Sequence, residues 1–207
     1  MKGGPAVAGV SKSLWATTSD VDYMRQNGRA EHTSHQELTD RLIRLYSDTE
    51  YELLDCGIMS GVTYEMLRNS QPAVRYTGID IGAPVIEDCR SKFGDARWYQ
   101  MSITDVAFPD ASFDVVNCRH VLEHLPYYET AVRELFRISR RHVAICFFQP
   151  PREPEVLLRR ETANGYIWLN RYAPAAFERL LNSLSSMVES VDLVHGHSAN
   201  RIYFCTK

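Results

Sequence analysis

The chain has 207 residues, of which 44% are hydrophobic and 24% charged. That is enough for one well-cored domain, and it excludes a disordered tail, a collagen-like repeat and a disulfide-dependent mini-scaffold. With 23 basic against 26 acidic side chains the formal charge is −3, so no bulk charge advertises a long nucleic acid or a membrane surface as partner.

No apolar run approaches the ~20 residues a membrane helix needs, and the longest, such as His142–Phe148, are strand-length. Pro5–Val10 is too weakly apolar for a signal-peptide core. The five cysteines, at positions 56, 89, 118, 146 and 205, are odd in number and show no C-x-x-C spacing. They read as buried reduced thiols, which points to a reducing, cytoplasmic compartment.

Residues 1–18 carry three glycines and read as a flexible arm. Residues 19–47 read as a helical cap in two pieces, broken around Asn27–Gly28, the second with Leu38, Leu42, Leu45 and Tyr46 on one broad face. The stretch 48–149 then alternates. Strands are expected over Tyr51–Cys56, Val74–Ile81, Ala96–Met101, Phe113–Cys118 and His142–Phe148, with helices over Val62–Arg68, Val85–Lys92 and Tyr128–Ser139. Residues 150–174 form an insert, and 175–207 close the domain with a helix around Phe177, Leu180, Leu181 and Leu184 and strands over Met187–Val194 and Arg201–Cys205. This order predicts a single α/β domain: a Rossmann-like doubly wound sheet, mostly parallel with an antiparallel last strand, and helices on both faces. In such sheets ligands lie beyond the carboxyl ends of the strands, so chemistry is expected after residues 56, 81, 101, 118 and 149.

The first strand runs into Asp55-Cys56-Gly57-Ile58-Met59-Ser60-Gly61. Glycines at a strand-to-helix turn let the backbone approach a ligand, and the next helix offers free N–H groups. The second strand ends in Asp80, 19 residues beyond Gly61. That is close to the ~20-residue offset at which a carboxylate accepts two ribose hydroxyls. Each feature alone also suits a plain turn or a helix cap.

Together with Phe108-Pro109-Asp110-Ala111-Ser112-Phe113-Asp114-Val115-Val116 and His120-Val121-Leu122-Glu123-His124-Leu125, these motifs stand in an order that resembles class I S-adenosylmethionine-dependent methyltransferases of the small-molecule branch. The likeness is clear over about residues 50–150 and loose over 170–207. It implies S-adenosylmethionine as cofactor and a small-molecule methyl acceptor, with no membrane partner and a monomeric or homodimeric chain. It further implies that Gly57 and Gly61 shape the loop under the methionine part of the cofactor, with Asp55 fixing that loop. Asp80 would hold the ribose, Ile81 would pack on the adenine, and Ser102 and Ile103 would meet the adenine edge. The segment Asn117–His120 would lie near the transferred methyl, with Cys118 at the cofactor and Arg119 at the acceptor. Two positions depart from the pattern. The family's usual central glycine is Met59, and its common acid at the adenine edge is Ser102. Met59 lowers cofactor affinity or reshapes the loop, which leaves room for a catalytically degenerate binding domain.

His120-x-x-Glu123-His124 also matches the H-x-x-E-H pattern of inverted zinc proteases. That chemistry needs both histidines well inside one helix, whereas here a strand precedes them and Pro126 follows, predicting a turn and a short helix. A second reading is a divalent-metal-assisted O-methyltransferase with His120, Glu123 and His124 as ligands. The favoured one makes the Glu-His pair scaffold and His120 a catalytic base, since a neutral imidazole takes a proton at pH 7. The insert carries Tyr166 and Trp168 on alternate positions among several arginines, which suits an acceptor wall or, equally, an ordinary hairpin. The N-terminal residues Trp15, Tyr23 and His32 are placed to close over the cofactor from the other side. A nicotinamide-dependent oxidoreductase shares the strand–turn–helix start, but the first motif lacks G-x-G-x-x-G.

Overall fold

The computed structural model describes residues 13–17, 32–47, 49–70, 73–195 and 198–207. Residues 1–12 and 18 of the expected arm, the helix break at Asn27–Gly28, Tyr23 and the His32 side chain fall outside them, while residues 13–17 of that arm form a bridge and a helical turn. The elements in chain order are α1 (Leu14–Thr17), α2 (His32–Tyr46), β1 (Tyr51–Cys56), α3 (Val62–Ser70), β2 (Val74–Asp80), α4 (Ala83–Lys92), β3 (Arg97–Gln100), β4 (Phe113–Arg119), α5 (Glu129–Ile138), β5 (Ser139–Phe147), β6 (Arg159–Thr162), β7 (Gly165–Trp168), α6 (Pro174–Leu184), β8 (Met187–His195) and β9 (Ser198–Thr206).

Seven strands form one sheet in the order β3-β2-β1-β4-β5-β9-β8. The pairs among β1 to β5 are parallel, and β9 runs antiparallel between β5 and β8. The chain therefore builds outward from β1 to β3 and then returns to β4 on the other side of β1. That reversal opens a crevice at the carboxyl ends of β1 and β4, where open α/β sheets bind ligands. The four-residue β6 and β7 make a separate antiparallel ribbon.

Alternation along the strands divides the core between two faces. Leu53, Val115, Ala144 and Phe204 point toward Leu38, Leu42, Leu67, Val85 and Ile86 of α2, α3 and α4. Leu54, Val116, Val143 and Ile145 point toward Val132, Leu135 and Phe136 of α5 and Phe177 and Leu181 of α6. Being covered on both sides, β1 and β4 read as almost unbroken apolar runs. Leu45, expected on the buried face of α2, is 48% exposed; the helix is narrower in its contact than the broad stripe suggested. The helix expected to run through Ser139 stops at Ile138, because Ser139 is already extended and pairs with Phe113. All five cysteines are buried thiols rather than disulfides. None of the described helices is long and apolar enough to cross a membrane.

Candidate functional site

At the end of β1 the chain turns through Gly57 and Gly61, both left-handed at φ 76° and 75°. A Cβ on Gly57 would stand 2.2 Å from Val121 Cγ2, so this glycine lets the turn after β4 close against the loop. Met59 takes φ 52°. That is the left-handed region that favours glycine, held by a methionine at a cost of about 1–2 kcal/mol.

Asp55 is 2% exposed. Its carboxylate accepts the Tyr76 hydroxyl at 2.5 Å, the Asn117 amide at 2.7 Å and the Thr63 hydroxyl. Burial raises its pKa against the pull of those donors and of the Arg119 charge. This residue ties β1, β2, β4 and α3 together two residues before the glycine turn. Asp80 closes β2, accepting the Gly82 N–H at 2.8 Å and the Met59 N–H at 3.4 Å. Burial pushes its carboxyl up to about 6, although the Gly82, Met59 and Ile81 N–H groups pull downward. Beside it Ile81 is 41% exposed, an apolar surface next to an acid.

The remaining expected residues separate. Ser102 stands near the end of β3, its hydroxyl 2.8 Å from Thr104 Oγ1 in a local turn. Ile103 and Cys118 are buried side chains of the α5 core, so only their backbones face the crevice side of the sheet. Arg119 lines a cavity with Asp55, Gly57 and Met59 and donates its Nε to Ser34 of α2 at 2.8 Å. It does not stand with Tyr166 and Trp168.

His120 has a left-handed φ of 55°, donates its backbone N–H to Cys146 at 2.8 Å and places Nε2 3.5 Å from Cys146 Sγ. Leu122–His124 is one turn of 3-10 helix, as the flanking strand and proline predict. Glu123 is wholly buried and accepts the Phe148 and Gln149 N–H groups at 2.7 and 3.4 Å. His124 Nδ1 lies 2.8 Å from the Trp168 carbonyl, and burial lowers its pKa to about 4. A neutral His124 therefore donates to that carbonyl. With Glu123 on the β5 end and His124 on the β7 end, the two do not join His120 in a metal-ligand set. No three acidic, His or Cys side chains converge that way among the described residues. Glu123 and His124 instead hold backbone groups at the end of β5 and in β7.

The same segment holds the insert. Asn170 is buried and bonds the Leu125 carbonyl through Nδ2 at 2.6 Å and the Leu158 N–H through Oδ1 at 2.9 Å. The Tyr172 hydroxyl lies 2.8 Å from the Leu122 and Leu125 carbonyls. Tyr166 lies under the Arg159 guanidinium, 4.2 Å from its ring centre, and its strand pairs with Ser13. Trp15 in α1 packs its ring 4.8 Å from His124, and its carbonyl lies 3.0 Å from where a Gly82 Cβ would stand. Residues 13–17 thus run between the ribbon and the end of β2. Sequence reasoning missed Ser34, His35 and Thr63, where Thr63 Oγ1 lies 3.1 Å from His35 Nδ1; a polar pair at an amphipathic helix's start carries no motif signal.

Residues 54–147 match the family described as a methyltransferase domain. Among curated relatives, an uncharacterized methyltransferase, YcgJ, of Bacillus subtilis is 29% identical over 98 residues, covering 44% of this chain and 38% of that protein. The demethylmenaquinone methyltransferase of Thermus thermophilus is 27% identical over 107 residues, covering 48% and 49%. The chain spans less than half the length of the curated relatives it matches. Among solved structures, the Burkholderia thailandensis 1,6-didemethyltoxoflavin-N1-methyltransferase, seen with that compound and S-adenosylhomocysteine, superposes with a TM-score of 0.69 at 14% identity, covering 98% of this chain and 93% of that one. That likeness shows the fold. Residues 54–147 are thus similar to a methyltransferase domain, on a fold shared with solved methyltransferases.

Proposed function

We propose that this chain binds S-adenosylmethionine across the ends of β1, β2 and β4 and directs its methyl to a small-molecule acceptor. The observation that carries the reading is Asp80. A carboxylate at the end of the second strand, beside the exposed Ile81 and hydrogen-bonded to the Gly57–Gly61 turn through the Met59 N–H, suits a ribose diol flanked by a purine. The residues present fit the cofactor in chemistry: an acid for the hydroxyls, an apolar face for the base, and a polar cavity at the loop. The buried Asp55 network keeps the loop in place, and Ser102 offers one hydrogen bond at the base edge.

The cofactor, when bound, supplies an electrophilic sulfonium methyl. The protein then aligns the acceptor, excludes water and accepts the acceptor's proton. His120 is the group assigned that proton, held between its backbone bond to Cys146 and the edge of Phe148. The acceptor lies against the β6–β7 ribbon, where Tyr166 and Trp168 supply aromatic surface. The buried thiols support a cytoplasmic setting. Calorimetric titration of the full chain tests the reading. S-adenosylmethionine and S-adenosylhomocysteine should bind while reduced nicotinamide dinucleotide does not; nicotinamide binding, or no binding of either sulfur nucleoside, refutes it.

A further inference from the structure

The first arm of the insert's hairpin is a sheet edge. Its pairing runs on from β6 and β7: Val156 and Arg171 exchange backbone bonds at 2.8 Å, and Leu158 accepts the Leu169 N–H at 2.9 Å. β7 meets Ser13 on its far side, whereas no strand among the described residues pairs with the outer side of β6. Because Val156 and Leu158 turn their backbone groups inward, alternation turns those of Glu155, Leu157 and Arg159 outward. Residues 152–161 are exposed throughout. Three in a row are aliphatic, Val156, Leu157 and Leu158, at 39, 48 and 42% exposure. Exposed edges are ordinarily guarded by charge, proline or cover. Here Glu153, Pro154 and Glu155 stand on one side of the aliphatic centre and Arg159 and Arg160 on the other. That order of acid, aliphatic and base is complementary to its own reverse.

We propose that this strip pairs antiparallel with the same strip of a second copy of the chain, about a two-fold axis at Leu157. The pairing sets Glu155 of each chain against Arg159 of the other, Val156 against Leu158, and Leu157 against itself. Both charges are within reach of a partner. The Arg159 side chain is 43% exposed, and its 2.8 Å bond to Glu161 lies along its own strand. Glu155 accepts the Ala173 N–H at 3.2 Å through one oxygen, in an exposed position. The arm is already held in place, since Leu158 donates to Asn170 and the Trp168 carbonyl meets His124, so pairing requires little new ordering. An anionic membrane fits the strip less well than its own copy does, because residues 152–161 carry three acids against three arginines.

Sedimentation velocity of the full chain tests this, run from about 5 to 200 μM because a short edge makes a small interface. The wild type should show monomer and dimer in exchange. Glu155→Arg sets bases against Arg159, and Arg159→Glu sets acids against Glu155, so each alone should weaken association roughly 10-fold. Mixing the two variants should restore the dimer, because one chain then presents two bases and the other two acids. Recovery on mixing also shows that both variants are folded. Leu157→Asp should leave a monomer whose circular dichroism matches the wild type. A wild type that stays monomeric at every concentration overturns the proposal, and its capture by phosphatidylglycerol vesicles would give the strip to a lipid surface instead. A dimer that neither charge variant weakens, or a mixture no more associated than its parts, equally overturns it.

Discussion

Replacing Asp80 by asparagine separates what this residue does for the fold from what it does for a ligand. Its carboxyl is pushed from the ordinary 3.8 up to about 6, chiefly by burial. The native state therefore binds more protons than the unfolded one between about pH 4 and 6, and stability falls as pH rises through that window. The cost is absent below about pH 4 and complete above about pH 6. Two units correspond to roughly 3 kcal/mol. Asparagine keeps one acceptor oxygen of two and weakens the bonds from Gly82 and Met59, returning about 1 kcal/mol of that. After allowance for the solvent that still reaches this half-buried group, Asp80→Asn should stabilise the protein at pH 8 by about 1–2 kcal/mol. In thermal melts that is roughly 2–8 °C for a chain of this size.

At pH 4 the gain should vanish, because the aspartic acid is then already neutral. His124, lowered to about 4, contributes stability that is lost as pH falls from about 6.5 toward 4. It does so in both proteins and cancels in the difference. The same substitution should weaken S-adenosylhomocysteine roughly 10- to 100-fold, since a charged acceptor of two hydroxyls becomes a neutral amide. Wild-type affinity should likewise decline below pH 6. A variant that is less stable at pH 8, or equally shifted at pH 4 and pH 8, refutes the burial argument. A stabilised variant with undiminished affinity refutes the ribose assignment instead.

Gly57→Ala combines a left-handed φ with a Cβ 2.2 Å from Val121 Cγ2, so urea unfolding should show a loss of about 2–5 kcal/mol. Adding Val121→Ala should restore the steric part; strictly additive losses would show that the two residues do not meet. Glu123→Ala leaves the Phe148 and Gln149 N–H groups without their acceptor and should cost about 2–5 kcal/mol, whereas Glu123→Gln, which keeps an oxygen, should cost about 1. Equal damage from both, with a melting point raised by added divalent ion in the wild type only, would support the metal reading.

The strands and crossovers were legible because each carries its own period and punctuation. Tyr51–Cys56 was expected and found to the residue, bounded by turn residues and buried on both faces. The 3-10 turn at Leu122–His124 followed from a strand before it and a proline after it. What was not legible depended on distant partners. Leu45 belongs to the apolar stripe of α2 by spacing, yet no element packs over it. Ile103 and Cys118 fall at ligand positions in the motif pattern, but their side chains are buried in the core under α5, Cys118 from within β4 and Ile103 from the turn after β3. Arg119 closes β4 and donates its Nε to Ser34. Its partner Ser34 is 85 residues earlier, and nothing local announces that pairing. The β6–β7 ribbon was half visible through the alternation of Tyr166 and Trp168, while its other strand, Arg159–Thr162, is too short and charged to show a pattern.

The insert's anchoring bears on how an acceptor is held. A long connection is ordinarily the mobile part of such a site. Here Asn170, Tyr172 and the Trp168 carbonyl are all bonded to the 122–125 turn, whose Glu123 in turn holds the end of β5. The ribbon is thus tied to the strand end that leads into His120, and β7 also bridges to Ser13 just before α1. Any small shift of the ribbon would have to break buried polar bonds, each worth about 1–3 kcal/mol once left unsatisfied. The ribbon is consequently fixed relative to the strand end that leads into His120; if an acceptor lies against it as proposed, that positional precision is what an in-line methyl displacement requires. The segment His120–Leu125 carries these bonds. It is the joint that makes a long insert as rigid as the sheet.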